Sequence, residues 1–133
     1  MNTETYVTFE QAQALKRLGF DWECATRFYV DGKRKILAEV PFTEKKNFNS
    51  DGWYITVCSA PALHIAAKWL REVKDLAINV IANGNGLYEW TLTFLPNADG
   101  AEEPIDRSTW CETYEEALSE GITAALKYLE ELQ

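Results

Sequence analysis

Between Thr8 and Gly19 the apolar residues Phe9, Ala12, Leu15 and Leu18 return at near-helical spacing. Thr8 is placed to cap that helix, Gln11 holds the reciprocal capping-box position, and Gly19 stops the run. Tyr6-Val7 ahead of it reads as a short strand. The pattern then changes. Thr26 to Val30 and Lys35 to Val40 flank Asp31-Gly32, a pair suited to a tight turn with positive φ, so a hairpin is predicted. Pro41 ends its second arm. Phe42 to Asp51 is polar and reads as a loop, and Trp53 to Val57 as a strand.

A second round follows. Ser59-Ala60-Pro61 carries a hydroxyl and a proline in the order that starts a helix, here predicted to run to about Asp75. Ala62, Ala66, Trp69, Leu70, Val73 and Leu76 form its apolar stripe. Ile78, Val80 and Ala82 lead into Asn83-Gly84-Asn85-Gly86. Beyond that turn Tyr88, Trp90, Leu92 and Phe94 alternate with Glu89, Thr91 and Thr93, the pattern of a half-buried strand. Pro96 to Ser108 reads as an acidic loop. Thr113 and Glu116 form a capping box that opens a last helix, with Tyr114, Leu118, Ile122, Ala125, Leu129 and Leu132 facing inward.

These elements predict an α+β fold: a largely antiparallel sheet of about five strands, with three helices packed mainly on one face. The order Tyr6-Val7-Thr8, helix, hairpin is echoed by Tyr54-Ile55-Thr56, helix, hairpin. A 48-residue shift aligns Ala14-Leu15 with Ala62-Leu63, which suggests an internal β-α-β-β duplication. At 133 residues the chain is expected to form a single globular domain, 1–133, large enough to bury a core without staples.

Charge sharpens the picture. Residues 1–51 hold eight acids and eight bases, whereas residues 52–133 hold thirteen acids and five bases, so the whole net charge of −8 lies in the C-terminal part. That charge opposes a phosphate backbone. The basic runs Lys33-Arg34-Lys35 and Lys45-Lys46 are short, so nucleic acid is disfavoured as a partner. No stretch approaches a membrane span. Met1 to Thr5 lacks the charged and apolar regions of a secretory leader, and three cysteines without CxxC spacing suit reduced thiols; a cytoplasmic location is expected.

Catalytic constellations are missing from the pattern. His64 is the lone histidine and has no motif-linked partner. Cys58 falls between the predicted strand and helix, where helix N–H groups would lower a thiol pKa; burial as a small hydrophobe is the alternative. Zinc-ligand spacing is absent, and the carboxylates from Asp99 to Asp106 lack EF-hand spacing. Neither a phosphate loop nor a dinucleotide fingerprint occurs, so no catalytic, cofactor or metal residue is assigned.

Two features point to interaction instead. Ala117, Gly121 and Ala125 repeat at i, i+4 and i+8 on the last helix, and a helix-interior glycine costs about 1 kcal/mol relative to alanine. Such a stripe suits either close packing within the chain or a dimer seam. Trp53, Tyr54 and Trp110 are aromatics that the pattern does not assign to the core, and Trp and Tyr anchor binding patches. Together these six residues are the candidate interface.

Three stretches also carry a resemblance: Glu4 to Glu10 with Gly19-Phe20-Asp21; Ser59-Ala60-Pro61 with Lys68-Trp69-Leu70-Arg71-Glu72; and Thr113-Tyr114-Glu115-Glu116-Ala117. They resemble small uncharacterised proteins found with prophages and mobile elements of gut bacteria. That resemblance implies a bacterial cytoplasm and a phage or mobile-element context, and gives no residue a role. The expected function is a self-associating, non-enzymatic interaction or accessory protein of phage or mobile-element origin, whose partner is a second copy of itself or another protein. The alternatives are an acidic DNA mimic that inhibits a host nuclease or repressor, and a small-molecule binder or enzyme with a pocket near Cys58.

Overall fold

Helix α1 (Phe9–Arg17) forms under the predicted capping box. Gln11 N–H donates to Thr8 Oγ1 at 3.1 Å, and Thr8 N–H donates to Gln11 Oε1 at 2.8 Å, so two otherwise orphaned donors are satisfied reciprocally. Gly19, at φ +96°, ends the run in a backbone state that side chains resist. The computed structural model describes residues 5–50, 56–95 and 104–132. Its elements fall into two compact units, Met1–Ala62 and Leu63–Gln133.

In the first unit, β1 (Thr26–Asp31) and β2 (Arg34–Glu39) form the expected hairpin across Gly32, whose φ is +64°. Two 3₁₀ turns, Phe42–Glu44 and Phe48–Ser50, interrupt the polar stretch read as a loop. Strand β3 (Thr56–Ser59) then pairs antiparallel with β1, giving the order β2-β1-β3. Phe9 of α1 meets Phe28 of β1 edge to face, with ring centroids 5.4 Å apart. Leu15, Phe20 and Cys58 are also buried in this unit, with Cys58 opposite Phe28. Tyr6, expected in a strand, makes an isolated antiparallel bridge to Ala62.

Ser59 does not cap a helix. It is the last residue of β3, and α2 (Leu63–Lys74) begins four residues later. Its hydroxyl instead accepts Phe48 N–H at 2.9 Å, and its own N–H donates to Asn49 Oδ1 at 2.9 Å. The short polar side chain found a tertiary backbone partner in place of a local one.

In the second unit, α2 passes to β4 (Leu76–Ala82) through the single residue Asp75, at φ +60°. Strand β5 (Tyr88–Phe94) pairs with β4 and with β6 (Asp106–Cys111), all antiparallel, in the order β4-β5-β6. The first half of strand β6 lies where an acidic loop was expected. At the edge of the sheet among the described residues, and with polar residues at Asp106, Arg107, Ser108 and Thr109, it carries little apolar signal. Helix α3 (Tyr114–Glu131) packs on this sheet, and Trp69, Leu70, Leu76, Leu92 and Ile122 are among the largest fully buried side chains. Tyr114 and Leu132, expected to face inward, are exposed at the helix ends.

The α+β class, the three helices and the antiparallel pairing are as expected. The strands divide into two three-stranded sheets among the described residues. Helix, hairpin and third strand recur in that order in both units, yet the third strand joins different hairpin arms. The 48-residue shift sets buried positions of α1 against the residues that start α2, so it matches no equivalent helix positions. No helix among the described residues is long and apolar enough to cross a membrane.

Candidate functional site

The small-residue stripe is spent inside the second unit. Ala117, Gly121 and Ala125 are all buried, and a Cβ placed on Gly121 would sit 2.5 Å from Ile78 Cγ2. The glycine is there so that α3 can approach β4. This corrects the dimer-seam reading: no face of these three residues is left for a second copy. Trp53 and Tyr54 lie outside the described residues.

Trp110 is the expected interface residue that the structure leaves open, with 72% of its surface exposed. Strand register explains its direction. Tyr88 pairs with Cys111 and Trp90 with Ser108, so Thr109 and Trp110 together face the single residue Glu89, as a β-bulge. Cys111 therefore points toward α3 and Trp110 points away. Across the same outward row lie Glu89 and then Ile81, which is 56% exposed. The next row is Asn79, Thr91 and Arg107. Within this unit, one sheet face carries α3 and the other presents an indole and an isoleucine at its two edges.

The thiols are not poised as nucleophiles. Cys58 has no exposed surface and lies on β3 opposite Phe28. Burial pushes its thiol up to about 11, with Lys16 opposing only in part. The expected lowering assumed a helix opening directly after Cys58, whereas α2 begins at Leu63. Burial likewise raises Cys24 to about 11. His64 is exposed near the start of α2.

A constellation that the sequence pattern did not single out gathers around Cys111. Glu116, Ser119, Glu120, Thr123 and Ala124 follow one face of α3 and, with Trp90 of β5, line an open groove of about 460 Å³. Trp90 Nε1–H donates to Glu120 Oε1 at 3.2 Å. Glu116 N–H donates to the Thr113 cap at 3.0 Å, while Glu116 Oε2 accepts Glu112 N–H at 3.3 Å. The predicted box is thus half formed, its return bond shifted by one residue.

Cys111 Sγ and carboxylate oxygens of Glu116 and Glu120 lie within 4.8 Å of one another. The thiol, 1% exposed, is pushed up to about 11 by burial first, then by its hydrogen bond to Glu120 and the charges of Glu120 and Glu116. This is the thiol with an acid–base partner, and that partner holds it protonated. The signal was present as Cys111-x4-Glu116-x3-Glu120 around a capping threonine, but the spacing matches no common ligand motif. No protein-family model, curated protein or solved structure matches this chain.

Proposed function

We propose that this chain is a non-catalytic interaction protein, of phage or mobile-element origin, that engages another protein through the outward face of the β4-β5-β6 sheet. The observation that carries this reading is Trp110, a largely exposed indole in the same row as exposed Ile81. Large aromatics anchor protein interfaces because they bury much area at small entropic cost. The three thiols are buried, so none of them is presented as a nucleophile. Self-association loses its helix-seam motive, so a hetero-partner is favoured.

Affinity capture from bacterial lysate with the intact chain and with Trp110→Ala/Ile81→Ser, alongside light scattering, tests the proposal. Proteins retained by the intact chain and lost from the variant are expected. Identical capture by both would overturn it. Capture that ignores Trp110 but collapses at high salt would favour the acidic-inhibitor alternative.

A further inference from the structure

We propose that the Trp90–Glu116–Glu120 groove docks a basic segment of another protein, with one arginine side chain lying along Ala124 and ending between the two carboxylates, beside the indole edge of Trp90. The inference rests on the interaction-protein reading but uses a different surface from the Trp110 face.

Shape and charge agree on this occupant. The groove is lined by Ala124, the stems of Glu116 and Glu120 and the edge of the buried Trp90 indole, which suits the methylenes of a long side chain. Its charge is uncompensated: among the described residues, neither Glu116 nor Glu120 makes an ion pair. The acidity extends beyond the groove, since Leu63–Gln133 carries thirteen acids against five bases. A cationic partner is therefore drawn toward the whole unit before it meets the groove.

The carboxylates are oriented in advance. The Trp90 indole holds Glu120 and the Glu112 amide holds Glu116, and an ionised carboxylate still has acceptor capacity after one such bond. A guanidinium suits two neighbouring acceptors better than an ammonium does, because its planar fork donates in several fixed directions. The side chain would enter with little rearrangement of its host, so less of the binding energy goes to ordering.

The test uses the full chain labelled with ¹⁵N, with the Trp90 indole N–H resonance assigned through Trp90→Phe. The probe is a capped pentapeptide, Gly-Ala-Arg-Ala-Gly, with a twin in which uncharged citrulline replaces arginine. The arginine peptide is expected to shift the Trp90 resonance and the citrulline peptide to leave it unmoved. Glu116→Gln/Glu120→Gln retains an acceptor for the indole and should weaken binding roughly tenfold. Ala124→Arg, which fills the groove from within, should abolish it. Raising salt from about 50 to about 500 mM should weaken it several-fold. Equal shifts from both peptides, undiminished binding to the carboxylate variant, or no shift at millimolar peptide would overturn the inference. So would a resonance that responds to zinc ions and not to peptide, since Cys111, Glu116 and Glu120 would then be a metal site. Capture that depends on Trp110 is read separately, so the docking groove can fail while the proposed function stands.

Discussion

In the first unit the third strand returns beside β1, the opening arm of its hairpin; in the second it adds to β5, the closing arm. The central strand is therefore β1 in one and β5 in the other, although both units run helix, hairpin, strand. Their charge differs as well: residues 1–62 are neutral and residues 63–133 carry −8. Local signals such as capping residues and Gly turns fix each hairpin. Which arm takes the third strand is decided by side chains far apart in the chain. In the first unit, Thr26 Oγ1–H donates to Ala60 O, and Ser59 receives Phe48 N–H. In the second, Trp90 and Leu92 are buried beneath α3, making β5 the strand that gains most from neighbours on both sides.

The largest expected effect breaks the second unit alone. Gly121→Leu drives a branched side chain into Ile78, whose Cγ2 is held close to its own backbone and yields little. A loss of about 3 kcal/mol or more in chemical denaturation is expected, with partial recovery in Gly121→Ala/Ile78→Ala. Gly19→Ala in the first unit meets no atom within 4 Å and pays only for its positive φ, about 1 kcal/mol.

Alkali should act next, and on both units. A thiol raised in the folded state contributes stability that is complete below its ordinary pKa near 9 and is lost as pH climbs toward 11. The loss is on the order of 2 kcal/mol per thiol, with Cys24 and Cys58 in the first unit and Cys111 in the second. Thermal melts between pH 8 and pH 11, read against Cys111→Ala, would separate the contributions. Glu120→Gln should bring the Cys111 thiol back toward its ordinary range, measured by alkylation rate.

Ser59→Ala removes the acceptor for a buried Phe48 amide and should cost about 1–3 kcal/mol. Because β3 and the Phe48 turn exist only in the first unit, hydrogen exchange should loosen there first. The smallest change compares the caps. Thr8→Ala breaks a complete box and should cost about 1 kcal/mol, with a smaller loss for Thr113→Ala, whose box is half formed.

Much of this architecture was legible in the chain. The Thr8/Gln11 pair, the Asp31-Gly32 turn and the alternation from Tyr88 to Phe94 each state their own geometry within a few residues. Strand β6 was not legible, because an edge strand with a bulge needs few apolar side chains. Ser59 misled, since a capping hydroxyl and a tertiary acceptor look alike in one dimension. The groove was hidden for a related reason. Trp90 and Glu120 stand thirty positions apart, and only the packing of α3 on the sheet brings the indole to the carboxylate.

The extra residue beside Trp110 also bears on how the protein behaves in a crowded solution. A regular outer strand with bare amides is a template on which copies can stack into fibrils, and a large aromatic would strengthen such stacking. Here the bulge at Thr109 and Trp110, in a strand that also carries Asp106 and Arg107, spoils the template. The bulge makes β6 a poorer stacking edge than a regular strand would be, even with the indole in the open.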